Sequence, residues 1–277
     1  MPLDPIQIRE AFHCLVLQAI APAEGLALRL KGGVNLRFFY GSERYSEDMD
    51  LDADPRLRQR LKAVLRKTLH APTLRRELLL LGIRDLDVPE KPAKDTDTVL
   101  RYKLRLIAAG VPYPTKIEVS YRGEAPAGWA RLARPLPKIV DPYLSPGTTF
   151  PEVGHYLRTP AVWQKITALA LRNEVQARDV FDLGLLLSDE LDAQLSRVDL
   201  HLLRDHLSDQ ILREAAARTL DMTHDQFEDQ VAVFLRPDAR TRHTATWDTT
   251  QVRVASFIEH LEQQPLPPTA QPRGSRP

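Results

Sequence analysis

The sequence predicts an α+β protein, with a mixed sheet and helices in its N-terminal half and helices alone in its C-terminal half. Three observations carry this reading. Apolar and polar residues alternate with period two at 26–30, 48–52, 99–107 and 115–121, all in the first half. Helical periodicity takes over near Thr159-Pro160 and runs to about Gln264. Prolines cluster between residues 125 and 151, as expected of a connection. The predicted organisation is therefore a mixed domain at 1–150, a helical domain at 151–264 and a disordered tail at 265–277. A cleft between two such parts is a natural ligand site.

The first predicted helix opens at Asp4-Pro5, a capping residue followed by a proline suited to a first turn. Ile8, Phe12, Leu15, Val16 and Ala19 share its apolar face, and His13 and Cys14 fall within that core pattern. Leu26 to Leu30 reads as a strand, broken by Lys31-Gly32-Gly33, after which Val34 to Tyr40 reads as a short helix. The next strand is Asp48-Met49-Asp50-Leu51-Asp52. Asp54-Pro55 then opens a helix with Leu57, Leu61 and Val64 on its core face and basic residues on another stripe. The strand from Val99 to Ile107 sets Leu100, Tyr102, Leu104 and Leu106 against Arg101, Lys103 and Arg105. The strand from Thr115 to Tyr121 sets Ile117 and Val119 against Lys116, Glu118 and Ser120.

Composition excludes several classes. No apolar run is long enough to span a bilayer and no charged-then-apolar leader opens the chain, so a cytoplasmic protein is expected. A single cysteine, Cys14, precludes an intramolecular disulfide and a cysteine-built zinc site. Gly-x-Ser-x-Gly is absent, and the histidines lack metal-ligand spacing. Net charge is only +1, but it is unevenly placed. Residues 55–76 hold eight Lys or Arg and no acid, whereas 179–230 hold thirteen acids against four arginines. Either the basic stretch meets a polyanion or it is a solvated helix face.

The strongest chemical signal is Asp48-Met49-Asp50. On a strand Asp48, Asp50 and Asp52 project to one face while Met49 and Leu51 point to the core. Like charges so placed repel unless a cation sits among them, and oxygen donors suit magnesium or manganese. Glu118 repeats the logic on a second strand and becomes a third acid if the two strands are neighbours. Lys31-Gly32-Gly33 stands where a strand feeds a helix, so its glycines let helix amides approach a phosphate. Lys165 and Arg172, seven apart, share a helical face, as do Asp179 and Asp182.

The string Lys31-Gly32-Gly33, then Leu36-Arg37-Phe38-Phe39-Tyr40-Gly41, then Arg44-Tyr45-Ser46-Glu47-Asp48-Met49-Asp50 resembles the AbiEii/AbiGii toxin family. That family includes MenT-type toxins and lies within the DNA polymerase beta superfamily of nucleotidyltransferases. Lys165, Ala168-Leu169 and Arg172, with Arg178-Asp179-Val180-Phe181-Asp182-Leu183, look like its C-terminal signature. Val34 and Asn35 depart from the small residues usual at their positions.

The resemblance implies a nucleotidyltransferase-type mixed sheet and a pyrophosphate-releasing enzyme that uses an NTP with Mg2+ or Mn2+. It implies that Gly32 and Gly33 cradle the triphosphate, with Lys31 and Arg172 also binding nucleotide, and that Ser46 bonds a phosphate oxygen. Asp48 and Asp50 would hold metal with Glu118 as third acid. Lys165 would contact the triphosphate and Asp179 would orient Lys165 or Arg172. It further implies a toxin–antitoxin or phage-defence role, a cognate antitoxin, and transfer to RNA, chiefly the 3′ end of tRNA, blocking translation. Arg56 to Arg76 and the Arg101, Lys103, Arg105 face could bind that acceptor. Two alternatives stay open: the same fold acting on a protein or aminoglycoside, and a non-catalytic RNA- or partner-binding module.

Overall fold

The computed structural model describes residues 3–24, 28–121, 126, 128–188 and 195–264, with side chains excluded at 23–24. The predicted tail at 265–277 and Leu26 lie outside the described residues. The chain forms two compact units: Met1–Leu157 with Ala232–Arg240, and Arg158–Val231 with Thr241–Pro277.

The first unit contains α1 (Pro5–Glu24), β1 (Leu28–Lys31), α2 (Gly32–Tyr40), β2 (Met49–Ala53), α3 (Arg58–Leu69), α4 (Pro72–Leu80), β3 (Ile83–Asp87), β4 (Lys94–Asp95), β5 (Val99–Ala108), β6 (Val111–Ser120), β7 (Ala130–Ala133), α5 (Pro137–Val140) and β8 (Val153–Tyr156). Its strands make one mixed sheet in the order β3-β5-β6-β2-β1-β8-β7, with β4 added beside β5. The β2–β6 and β1–β8 pairs are parallel; the others are antiparallel. Leu100, Tyr102, Leu104, Leu106, Ile117, Val119, Met49 and Leu51 line the buried face and join Phe12, Leu61, Leu65 and Leu74 in one core. The expected alternation on β5 and β6 holds, because each strand has one face under helices and one face in solvent.

Several predictions of detail shift. In α1, Ala19 is exposed while Leu17 and Ile20 are buried, since this helix is enclosed on most sides and the narrow stripe read from sequence understates it. A 3-10 turn at Pro55–Leu57 precedes α3 and changes its phase. The buried residues are therefore Leu61, Leu65 and Leu69, with Leu57 and Val64 half-buried. Asp54 still caps the start, accepting from the Arg56 amide at 2.8 Å. Strands β3, β4, β7 and β8 escaped the sequence reading because they are short or lack clean alternation. β8 lies beyond the proline-rich connection yet pairs with β1, so the first unit extends to Leu157 rather than stopping at 150.

The second unit contains α6 (Arg158–Leu171), α7 (Ala177–Leu186), α8 (Arg197–His206), α9 (Asp209–Leu220), α10 (His224–Gln230) and α12 (Trp247–Gln263), with α11 (Pro237–Ala245) begun in the returning segment of the first. Ser196 and Thr223 start α8 and α10 through capping boxes with Asp199 and Gln226. Fully buried Trp247 packs on Phe227, their ring centroids 4.8 Å apart.

Candidate active site

The glycines let the first turn of α2 lie against the acids of β2. Gly32 has φ +66°, and a Cβ there would stand 3.1 Å from Asp50 Oδ2. At Gly33 a Cβ would stand 2.6 Å from Ser46 Oγ and 3.0 Å from an Arg44 guanidinium nitrogen. Neither glycine can carry a side chain without moving a neighbour. Lys31, the residue capping α2, makes no side-chain cap, so the first-turn amides get no side-chain acceptor from it.

Strand register brings four charged residues into one row. Lys31 pairs with Asp50 across β1–β2, Asp50 with Glu118 across β2–β6, and Glu118 with Arg101 across β6–β5. Glu118 therefore stands on the strand beside Asp50, as the sequence suggested. Its carboxylate, however, takes the Arg101 Nε at 2.6 Å. Asp52 holds Lys31 Nζ at 2.5 Å on one oxygen and the Tyr156 hydroxyl at 2.7 Å on the other. Asp48 precedes the first ladder residue of β2 and is held from β6 instead. Its Oδ1 accepts from the Lys116 amide at 3.1 Å, and its Oδ2 lies 2.8 Å from Lys116 Nζ. Ser46 Oγ donates to the Asp48 carbonyl at 2.9 Å.

Asp50 is the exception. Among the described residues its carboxylate makes no hydrogen bond or ion pair. Burial pushes its pKa up, Lys116 and Lys31 pull it down, and Asp48 and Glu118 push it up again. An unpartnered, half-buried carboxylate next to another acid is what a hard cation stabilises, so Asp48 and Asp50 fit Mg2+ or Mn2+ by donor chemistry. Among the described residues no three His, Cys, Asp or Glu side chains converge into a complete cage.

The second unit holds the other predicted residues. Buried Lys165 on α6 reaches Asp179 at 2.7 Å and Asp182 at 2.6 Å, both on α7 and both fully buried. Half-exposed Arg172 meets the second Asp179 oxygen at 3.0 Å. Asp179 thus bridges Lys165 and Arg172. Asp182 is the partner that sequence reasoning left out of the site, although its three-residue spacing from Asp179 was visible. Two carboxylates and two cations balance, which is what permits their burial.

Other contributors lay in positions read as core or as plain strand face. The Thr115 hydroxyl donates to the Glu47 carbonyl at 2.8 Å, and His13 Nε2 stands 2.8 Å behind that hydroxyl. Because the Thr115 proton is spent on Glu47, His13 donates through Nε2. Burial lowers the His13 pKa to about 3, keeping it neutral. Arg44 is buried beneath Gly33. Cys14 is buried and its thiol pKa is pushed up, consistent with an inert core cysteine.

The basic stretch is partly self-neutralised. Arg56 pairs with Asp54, Arg58 with Asp95 and Asp97, Lys62 with Asp95, and Arg75 with Asp85. Arg66, Lys67, Arg76 and Lys103 are exposed and have no acidic partner among the described residues.

A family profile described as "Nucleotidyl transferase AbiEii toxin, Type IV TA system" matches residues 15–267. The chain belongs to that family. This AbiEii nucleotidyltransferase accordingly has an antitoxin as its system partner. No curated protein sequence matches it. Among solved structures it is similar in fold to JHP933 from Helicobacter pylori, with 16% identity and TM-score 0.53, covering 94% of this chain and 96% of that one. It is likewise similar to MenT4, a nucleotidyltransferase toxin from Mycobacterium tuberculosis H37Rv, with 18% identity and TM-score 0.54, covering 93% and 91%. These likenesses agree with the mixed sheet and helices predicted from sequence. Among the described residues no helix is long and apolar enough to cross a membrane.

Proposed function

We propose that this AbiEii nucleotidyltransferase transfers a nucleotidyl group from an NTP to RNA, at the 3′ end of tRNA, and that it does so in the cytoplasm. The observation that carries the reading is Asp50: an unpartnered carboxylate beside Asp48, under the glycine-rich first turn of α2. In this reading the acceptor hydroxyl gives its proton to solvent, its oxygen bonds the α phosphorus, the bond from that phosphorus to the bridging oxygen of the β phosphate breaks, and pyrophosphate departs. Asp48 and Asp50 would hold Mg2+ or Mn2+, which stabilises charge on the attacking and leaving oxygens. Glu118 would join them only on releasing Arg101, with which it is paired.

The rest is work for the chain's own groups. The amides of Gly32 and Gly33 would receive phosphate oxygens, helped by the positive end of α2. Ser46 would turn its hydroxyl from the Asp48 carbonyl to a phosphate oxygen. Lys31, anchored by Asp52, would add charge on the same side. Within the second unit, Asp179 fixes Lys165 and Arg172 by its two oxygens, the pair that the family resemblance assigns to the triphosphate. Exposed Arg66, Lys67, Arg76 and Lys103 are among the cations available to an RNA backbone.

The test is transfer of label from each NTP in turn to total tRNA by purified protein with Mg2+, with Asp48→Ala alongside. Label in tRNA with wild type alone supports the reading. Label on protein keeps the enzyme and removes the RNA acceptor. Salt-sensitive tRNA binding without label from any NTP refutes transfer to RNA.

A further inference from the structure

The face of the sheet opposite the hydrophobic core carries four half-buried acids, Asp48, Asp50, Asp52 and Glu118, and three cations paired with them. Lys31 is taken by Asp52, Arg101 by Glu118 and Lys116 by Asp48. Of these four acids, Asp50 is the one with no ion pair among the described residues. Of the three cations, Lys116 is the one placed on the acids that would hold metal, and nothing in the proposed chemistry uses it.

Lys116 grips Asp48 twice, with its amide on Oδ1 and its ammonium on Oδ2. Only the ammonium can leave; the amide is fixed in β6. Its departure would not release Asp48. The Thr115 hydroxyl still holds the Glu47 carbonyl, and Ser46 Oγ the Asp48 carbonyl. Opposite Lys116 in the β5–β6 register stands exposed Lys103, and like charges across a strand pair repel. That repulsion biases the Lys116 side chain toward β2 and the acids.

We propose that Lys116 is a built-in counterion of the acid pair, whose ammonium occupies the place of a divalent cation and is exchanged for it when metal binds. The site then binds metal more weakly than its two carboxylates alone would, in return for a face that is stable when empty. The freed ammonium becomes available to the triphosphate that arrives with the metal. This inference rests on the assignment of Asp48 and Asp50 as metal donors.

The experiment is titration of the full-length protein with Mn2+, following free Mn2+ by electron paramagnetic resonance, for wild type, Lys116→Met, Lys116→Gln, Lys116→Arg and Asp48→Asn. The two neutral variants should bind Mn2+ about two- to fivefold more tightly than wild type, the size expected for removing one competing half-exposed ion pair. Lys116→Arg should stay near wild type, and Asp48→Asn should bind far more weakly. Thermal unfolding gives a second readout. Without metal the neutral variants should melt below wild type, and Mn2+ should raise their Tm by more than it raises that of wild type. If wild type binds Mn2+ through Asp48 but Lys116→Met and Lys116→Gln bind it equally or more weakly, the counterion role is overturned while the metal assignment stands. Absence of saturable Mn2+ binding in all five proteins overturns the metal assignment, and the counterion role with it.

Discussion

Replacing Gly33 by alanine tests whether the first turn of α2 is held against the Ser46 loop. Gly33 has an ordinary backbone, so alanine there brings no left-handed strain and would by propensity favour a helix. The expected loss is therefore purely steric. The added Cβ would stand 2.6 Å from Ser46 Oγ, closer than real Cβ atoms come, with Arg44 at 3.0 Å and Ser46 Cβ at 3.2 Å. Arg44 is buried, so it has little room to retreat. Forcing a methyl into such a place costs about 1–3 kcal/mol. Ser46→Ala removes the nearest atom but leaves the other two, so the double variant should recover roughly 1 kcal/mol relative to additivity, in the range of contacting pairs. Urea unfolding of wild type, both single variants and the double variant measures the coupling. Gly110 serves as the comparison: it has φ +79° and nothing within 4 Å of an added Cβ. Gly110→Ala should cost about 1–2 kcal/mol from left-handed strain alone, with no coupling to Ser46. Strict additivity of Gly33→Ala and Ser46→Ala would refute the close packing inferred here.

Other outcomes follow from the same geometry. Lys165→Met leaves two fully buried carboxylates short of a cation and should destabilise by about 3–5 kcal/mol, whereas Lys165→Met combined with Asp182→Leu should recover part of that in urea unfolding. Burial holds His13 near pKa 3 and His155 near 4, both below the unfolded value of about 6.5. Above pH 6.5 both states are neutral at these sites; as pH falls the unfolded chain alone takes up protons. Stability should therefore fall by roughly 1.4 kcal/mol per pH unit for each histidine between about pH 5.5 and 4, and unfolding of His155→Gln should show a shallower slope. On the proposed RNA-acceptor reading, Lys103→Ala should weaken tRNA binding and lower the slope of log affinity against log salt by about 1, while Arg56→Ala, already paired with Asp54, should change that slope little.

The parts legible in the sequence were those that one local rule governs. Alternation located β2, β5 and β6, because each buries one face and wets the other. The acids on β2 stood out because carboxylates fit strands poorly. What sequence could not give was partner choice. Nothing in the order of residues says that β6 lies beside β2, which is what carries Lys116 onto Asp48 and Thr115 under Glu47. Charge counting erred for the same reason. The basic run at 55–76 looks like one patch, yet its first turns meet Asp54, Asp95 and Asp97, and Arg75 meets Asp85. A one-dimensional count sees the cations and misses acids brought in from as far as 39 residues away.

The two buried-acid clusters show why pairing is more informative than burial. Asp179 and Asp182 are the more deeply buried, but Lys165 and Arg172 satisfy their charge, and breaking that balance is costly. Such a cluster is explained by its own contents and would hold its shape whatever lay nearby. Asp50 is less buried and has neighbours of its own sign, with the cations in reach committed to other acids. A fold that only needed stability could place an apolar or hydroxyl residue there. Asp50 without an ion pair, under a helix start where a Cβ at Gly32 would press on its carboxylate, is the feature on which the proposed metal site rests.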